Sequence, residues 1–374
     1  MKPLIFLLFC GVTLSAPAQF LHRKPLRIPN LPGYVTLKCD FHVHTVFSDG
    51  EVWPESRIRE AWAEGLDAFA FTDHIEWLPH RADVDSGYNR AWEIGRDMAE
   101  AMDLIVLNGA EITREMPMGH INAIGLRDAA ALRVADSIQA VQIARGQGAF
   151  LIYNHPYDST AWTPLQDQLL QQGLLGGIEV VNENVYYPYA HRWCLEKNLA
   201  MIGTSDTHYP LALLYETSGF PYRPMTLVFA RNRTAAGILE ALQARRTAVL
   251  YKGIVIGREA HLRPLADSAL RVHPHFFISL KSDYWEGYYI IENRSDLPFT
   301  LRVKQKPPML SMDDEMVIPP GKTVAMWVSL AYGGTHEAPK PGRYAFSIPC
   351  EITNLLVAPG QGLSYELKME VEVR

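Results

Sequence analysis

Two histidines one residue apart, His42 and His44, close an apolar run and are followed by Ser48-Asp49-Gly50. Successive strand side chains point to opposite faces, so His42 and His44 share one face with Asp40 below them, while Cys39, Phe41 and Val43 turn into packing. That spacing lets two imidazoles reach one ion, although a lone His-x-His also occurs in buried hydrogen-bonded pairs. Other segments repeat the placement. "AFAFTDHIEW" ends an apolar run in Asp73-His74, "LIVLNGAEIT" in Glu111, "FLIYNHP" in His155 and "AMIGTSDTH" in Asp206 and His208, while "MGHINAIG" opens with His120. Nearly all lie just past the carboxyl end of a predicted strand, where parallel α/β barrels gather their active sites. Six of the chain's 13 histidines fall in this set, and chance would scatter them over loops and helices. Imidazoles and carboxylates without a thiolate suit Zn, Mn or Fe.

The elements that must position these groups are legible as alternation. From Val35 to Tyr251 short apolar runs alternate with helical patterns, the signature of βα units. Expected strands are Val35 to Val43, Ala68 to Phe71, Ile105 to Ala110, Asn122 to Leu126, Phe150 to Tyr153, Ile178 to Val181, Ala200 to Gly203 and Thr226 to Phe229. "PESRIREAWAEGL" predicts a helix with Pro54 in its first turn and Ile58, Ala61, Trp62 and Leu66 on one face. "TAAGILEALQARR" predicts another, with Thr234 as N-cap. Past Arg263 the texture changes to short strand-like segments parted by Pro and Gly. In "SYELKMEVEVR" the residues Tyr365, Leu367, Met369, Val371 and Val373 alternate with polar ones, which predicts a small antiparallel β-sandwich. His273 and His275 flank Pro274 near the junction with nothing to pair with, and read as linker or packing residues. The expected divisions are 1–18 signal peptide, 19–34 lead-in, 35–263 catalytic α/β domain and 264–374 all-β domain.

Composition narrows the function. The formal net charge of -6 disfavours a nucleic-acid polymer as partner, because phosphate binding needs clustered Lys and Arg. Lys2, the apolar run Leu4 to Leu14 and Ala16-Pro17-Ala18 read as a cleaved secretory signal, too short to span a bilayer. The expectation is a secreted or periplasmic protein with no membrane span after cleavage. Cys39, Cys194 and Cys350 would remain, at spacings that suit neither a disulfide framework nor a thiolate metal site.

Taken in order, His42-x-His44 with Ser48-Asp49-Gly50, Thr72-Asp73-His74, Glu111, Gly119-His120, Asn154-His155-Pro156 and Ser205-Asp206-Thr207-His208 resemble the polymerase and histidinol phosphatase (PHP) superfamily over about Thr36 to Gly257. The resemblance implies a distorted seven-stranded (β/α) barrel with a trinuclear metal centre at its mouth. It implies that His42, His44, Glu111 and Asp206 hold one divalent ion, that Glu111 bridges to a second bound by His120 and His155, and that Asp49, His74 and His208 take a third. Many relatives carry His where Asp49 stands, which bears on metal preference. An exported barrel of this kind followed by a sandwich also resembles the Sb-PDE family of phosphodiesterases.

Three divalent ions carry six positive charges against the carboxylates Asp49, Glu111 and Asp206, an excess of about three that suits a phosphate ester and its transition state. They would lower the pKa of a shared water from 15.7 toward about 7, supplying a bridging hydroxide for in-line attack. The expected function is therefore hydrolysis of a small-molecule phosphate ester, with a diester favoured. A phosphomonoesterase, an amidohydrolase-like enzyme of C–N or C–O bonds, and a non-enzymatic binder are the alternatives. Asp206 is a candidate to accept the water's proton, and Asp73 to orient a ligand from behind. Arg114 and Arg81 are candidate substrate-binding cations, against solvated surface arginines as the plain alternative. Asn154 and Asn122 read as loop-fixing or ligand-donating groups. "WLPHRADVDSGYNR" and "NENVYYPYAHRW", with Tyr186, Tyr187 and Tyr189, are the loops expected to shape the pocket.

Overall fold

Pro54, buried at the first turn of α1 (Pro54–Ala63), fixes the backbone where a helix needs no amide donor, and Ile58 and Ala61 turn the helix inward. In this computed structural model the described residues are 22–24, 26–84, 87–215, 222–273, 275–281, 284–330 and 341–373. The expected signal segment 1–18 lies outside the described residues. Strand β1 (Val35–Asp40) is followed after α1 by β2 (Ala68–Phe71), α2 (Arg90–Ala101), β3 (Ile105–Ile112), β4 (Ile121–Ile124), α3 (Ser137–Gly146), β5 (Phe150–Tyr153), α4 (Pro164–Gln171) and β6 (Gly177–Asn182). Then come β7 (Val185–Tyr186), α5 (Pro188–Glu196), β8 (Ala200–Thr204), α6 (Leu211–Tyr215), β9 (Met225–Ala230), α7 (Ala235–Gln243), β10 (Thr247–Tyr251), β11 (Ile254–Gly257) and α8 (Glu259–Ala269). Caps fix several helix starts. The Asp136 side chain accepts from Ile138 N at 2.8 Å, Thr163 and Gln166 form a capping box, and Thr234 accepts from Gly237 N at 3.0 Å.

Seven strands run in the order β1-β2-β3-β4-β5-β6-β8. Most neighbours are parallel, but β4 is antiparallel to both β3 and β5. The two ends of the ring meet through Thr226, whose hydroxyl accepts from Gly203 N at 3.0 Å and donates to Gly203 O at 2.9 Å, and through a parallel bridge from Val43 to Thr207. On the outer side of β1 the sheet continues as antiparallel β9, β10 and β11. Strands such as β2, β5 and β6 are buried throughout, as strands covered on both faces must be. The expected pocket loop after Val181 contains a helix instead: Pro188 opens α5, and Ala190, His191 and Cys194 recur at helical spacing on its buried side.

The last third is a β-sandwich. One sheet is built on the strand Tyr284–Asn293 with Leu270–His273 and Thr323–Leu330, while His275–Lys281 pairs first with Gln361–Val373 and then with Tyr284–Asn293. The other is built on the long hairpin Gly342–Ala358 and Gln361–Val373 with Phe299–Val303 and Glu315–Ile318. Leu367, Met369, Val371 and Val373 are buried as the alternation requires, and Tyr365 is half-buried. The division expected between 263 and 264 falls inside α8, whose Leu262, Leu265, Ala266 and Ala269 are buried and which carries Pro264 in its interior. The sheet also passes from one unit into the other: β11 pairs in parallel with Leu355 and Leu356, and Asn354 Nδ2 donates to Gly253 O at 2.8 Å. Cys39, Cys194 and Cys350 are free and buried. Among the described residues no helix is long and apolar enough to cross a membrane.

Candidate metal centre

Backbone pairing between neighbouring strand ends brings the candidate ligands to one rim. Ile75 N donates to Glu111 O at 3.0 Å, and Glu111 N to Asp73 O at 3.1 Å, which sets His74 beside Glu111. Asn154 N donates to His120 O at 3.0 Å, and His44 N to Thr207 O at 3.1 Å, so each motif is registered against the next. His120 precedes its strand, Glu111 lies in the last pleat of β3, and the others follow theirs. Because β4 runs antiparallel, its beginning lies at the same rim as the ends of β3 and β5. Gly119 before it has φ +69° and stands where a Cβ would meet the Tyr153 ring at 2.7 Å, so a side chain there is excluded twice. The Ser48-Asp49-Gly50 turn is equally tight: a Cβ on Gly50 would lie 2.8 Å from the His44 backbone. His155 and Asp206 both hold left-handed backbone, with φ +22° and +47°, the kind of local strain that a surrounding structure sustains at functional sites.

The convergence is close. His44, Asp49, His74 and His208 form one group whose ligand-type atoms lie within 4.8 Å of one another; His42, Glu111 and His155 form a second; His42, His44 and Asp206 form a third. Glu111 Oε2 lies 3.2 Å from His42 Nε2 and 3.0 Å from His74 Nδ1, while Oε1 lies 2.9 Å from His120 Nδ1 and 3.5 Å from His155 Nε2. Glu111 is thus the carboxylate between the groups. Eight of the nine expected ligands fall in these groups, and His120 adjoins them through Glu111.

Hydrogen bonds behind the rings set which nitrogen faces inward. His208 Nδ1 sits 2.9 Å from Asp206 O and His42 Nδ1 2.8 Å from Glu179 Oε1, both groups that only accept, whereas Thr113 Oγ1, 2.5 Å from His74 Nδ1, can donate or accept. An acceptor at Nδ1 puts the proton there and leaves the Nε2 lone pair for an ion. His42 Nε2 then lies 3.2 Å from Asp206 Oδ1, and His208 Nε2 lies 3.3 Å from Asp49 Oδ1. Among the described residues two buried atoms at the centre have no partner in hydrogen-bond geometry: His44 Nε2 and Asp206 Oδ1, 3.1 Å apart. Leaving such groups unpaired costs about 1–3 kcal/mol each. A cation between them satisfies both, so the residues fit the ions that the donor types suit.

Charge follows the same logic. Burial would raise the Asp49 carboxyl, but the neighbouring His208, His74 and His44 rings hold it well below the usual carboxylate range. Glu111 and Asp206, equally penalised by burial, are held low by the surrounding imidazoles, His42 foremost. The His44 imidazole, buried and flanked by His74, His208 and His42, is pushed down to about 3. His74, despite burial, is pushed up to about 10 by Glu111 and Asp49.

Glu179 is a site residue that motif reading passed over. It is fully buried in β6 and accepts from four donors: His42 Nδ1, Thr204 Oγ1 at 2.6 Å, His155 N at 2.7 Å and Asn182 Nδ2 at 2.9 Å. Its signal was a lone acid inside the apolar run "GIEVV", since a charge is almost never fully buried without partners. Glu179→Gln replaces an acceptor-only carboxylate by a group with its own donors, which removes the partner that fixes the His42 tautomer. Metal affinity is expected to fall about 10- to 100-fold, measured by competition with a chromophoric chelator while circular dichroism stays unchanged. Undiminished affinity would deny Glu179 that part.

Other expected residues take definite places. Asp73 does not reach the centre: Oδ1 accepts from Thr45 N and Ser48 Oγ, both at 2.7 Å, and Oδ2 from Thr45 Oγ1 at 2.8 Å, so it anchors the loop carrying His44 and Asp49. Asn154 Nδ2 donates to Glu111 Oε1 at 2.9 Å, whereas Asn122 Nδ2 donates to Phe41 O at 3.0 Å, away from the ligands. Arg114 pairs with Glu76 and donates to Thr113 O and Val134 O, each at 3.0 Å. Arg81 is exposed on the wall of a separate hollow that also holds Trp77 and Arg133. Tyr186 bonds His191 and Tyr189 donates to Pro156 O, both as packing of α5, and Tyr187 is buried. Sequence reading also missed Arg57, whose buried guanidinium donates to His44 O at 2.9 Å, Thr207 O at 3.1 Å and Tyr209 O at 2.9 Å. It fastens the His42–His44 segment to the Asp206–His208 segment.

Comparison with known proteins agrees with this site. A family model described as PHP domain matches residues 40–217, and one described as Ig-like domain matches 281–368. The crystal structure of a two-domain protein from Bacteroides vulgatus, described as containing a predicted PHP-like metal-dependent phosphoesterase, is 39% identical. Its TM-score is 0.84, and the match covers 93% of this chain and 99% of that one. An uncharacterised protein of Methanocaldococcus jannaschii is 33% identical over 81 residues, 22% of this chain. That match spans 36% of the relative's own length.

Proposed function

The chain belongs to the PHP-domain family, and from that premise we propose that it is a metal-dependent phosphoesterase that prefers phosphodiesters. The observation that carries the reading is the rim itself, where five imidazoles and three carboxylates form overlapping ligand groups about His44 Nε2 and Asp206 Oδ1, with His120 Nδ1 2.9 Å from Glu111 Oε1. His42, His44, Glu111 and Asp206 would hold one cation, Glu111, His120 and His155 a second, and Asp49, His74 and His208 a third. Divalent ions so bound supply Lewis acidity, which lowers the pKa of a coordinated water and offsets charge on the phosphoryl oxygens.

The chain's own groups do the rest. Glu179 and Asp206 O hold the Nδ1 protons of His42 and His208, which turns each Nε2 toward the centre. Asn182 Nδ2 bonds Asp206 Oδ2 at 3.2 Å, which fixes that carboxylate and leaves Oδ1 facing the centre as the candidate acceptor for the attacking water's proton. Glu179 also changes the charge balance expected from sequence. With Asp49, Glu111 and Asp206 it makes four carboxylates, which reduces the excess left by three divalent ions to about two. That matches the single charge of a diester plus the one gained on attack, and falls short of the higher charge a monoester reaches. Export belongs to the same reading, supported by Lys2, the apolar run Leu4 to Leu14 and Ala16-Pro17-Ala18.

The test is turnover of bis(p-nitrophenyl) phosphate, p-nitrophenyl phosphate and a panel of esters and lactones, with metal analysis on the same sample. Diester turnover is expected to exceed monoester turnover, to vanish with chelator and to return with Mn or Zn. Preferential lactone cleavage would transfer the assignment to the amidohydrolase-like alternative, and activity in metal-free protein would end it.

A further inference from the structure

The centre has a built neighbour. A cavity of about 310 Å³ opens against His120, Asn154 and His155 and is walled by Met116, Tyr153, Pro156, Tyr157 and Ala161. Three features define what it accepts. Its surface is largely apolar or aromatic, and the Tyr157 ring leans over His155 with centroids 5.1 Å apart at 36°. Its one guanidinium, Arg114, is already paired with Glu76 and bonded to two carbonyls. Its remaining charges are the carboxylates Glu115 and Asp158. The Glu76–Arg114 pair also forms a partition, since Glu76 lines the hollow of about 610 Å³ that contains Arg81 and Arg133, whereas Arg114 lines this one. Cationic surface therefore lies beyond the partition from the His120–His155 edge.

Resting on the phosphoesterase reading above, we propose that this cavity seats an uncharged, preferably aromatic, ester group of the substrate while the phosphoryl group faces the metal cluster. Tyr157 and Met116 are then specificity-determining residues. The volume is at the small end of ligand sites, enough for one substituted ring. Tyr157 is 78% exposed and Met116 52% exposed, so each has apolar surface left to cover when a ring enters. A second anionic group fails there for a charge reason: two carboxylates face it, and Arg114 is committed to Glu76.

Isothermal titration of metal-loaded protein with phenylphosphonate, methylphosphonate and 4-phosphonobenzoate tests the proposal without requiring turnover. Phenylphosphonate is expected to bind at least about tenfold more tightly than methylphosphonate, the scale of burying one ring face, and more tightly than 4-phosphonobenzoate. Tyr157→Ala is expected to shrink the phenyl-to-methyl ratio about fivefold or more, and Tyr157→Phe to preserve it. Equal affinity for the phenyl and methyl ligands, or a ratio that survives both Tyr157→Ala and Met116→Ala, overturns the subsite while leaving the phosphoesterase reading in place. Failure of all three phosphonates to bind metal-loaded protein that also turns over no phosphate ester overturns that reading and the subsite with it.

Discussion

Asp206→Ala is expected to lower kcat/KM toward bis(p-nitrophenyl) phosphate by about a thousandfold or more, and to lower the metal content of the isolated protein. The size follows from the several tasks that converge on one carboxylate. Oδ1 lies 3.2 Å from His42 Nε2 and 3.1 Å from His44 Nε2, and it is one of the two unpaired buried atoms that a cation would satisfy. Removing a single preorganised electrostatic group in other active sites costs about 10²–10³ in kcat. Here the same substitution also removes a metal ligand and the candidate proton acceptor. Asp206→Asn separates the tasks, because the amide keeps an oxygen and can keep the bond to Asn182. It is expected to retain more metal than Asp206→Ala while remaining severely impaired in turnover. Full activity in either variant would remove Asp206 from the chemistry.

Asp206 also shows why much of the site could be read from sequence. A ligand placed at a strand end is announced locally: an apolar run stops, and a polar residue that no strand interior would tolerate follows at once. This held for His74 after Phe71, Glu111 in β3, His155 after Tyr153, and Asp206 and His208 after Thr204. His42 and His44 lie past the last residue of β1, yet their alternation persisted because Val43 still bridges Thr207 and fills the opposite face. The positioning residues were harder. Glu179, Arg57 and Arg223 act on groups far away in the chain, and no spacing rule links position 179 to position 42. Glu179 carries a local mark, a charge in apolar surroundings, whereas Arg57 stands among polar neighbours and reads as a surface residue until burial is known. Asp73 was conspicuous through its neighbour His74, but its oxygens face Thr45 and Ser48. The position expected for the junction, 263 and 264, lies within α8. The change of texture past Arg263 begins inside a helix that carries Pro264 and whose Leu262, Leu265 and Ala266 are anchored by burial.

The same distant coupling gives the largest expected effect on stability. Arg223→Met is expected to destabilise the protein by about 3–5 kcal/mol, read as a lower denaturant midpoint, because it strands two carboxylates. Arg223 is 1% exposed; its Nη1 donates to Asp40 Oδ2 at 2.9 Å and its Nε to Glu64 Oε2 at 2.7 Å. Asp40 is fully buried, and the same carboxylate accepts from Ser205 Oγ at 2.5 Å, Ser205 N at 3.1 Å and His42 N at 3.3 Å. The guanidinium therefore neutralises a carboxylate that ties both metal-ligand segments together, one beginning at His42 and the other at Ser205-Asp206. Because of this coupling, the stability lost is expected to depend on metal. Ions that bind only the folded state add stability by mass action, and a loosened Asp40 weakens their site, so stabilisation by added Mn or Zn should be smaller in Arg223→Met than in the unaltered protein. Adding Glu64→Gln is expected to recover part of the loss, since one stranded charge disappears while Asp40 stays. A denaturant midpoint unchanged by Arg223→Met would show that the triad contributes little to folding, and an undiminished metal stabilisation would separate it from the site.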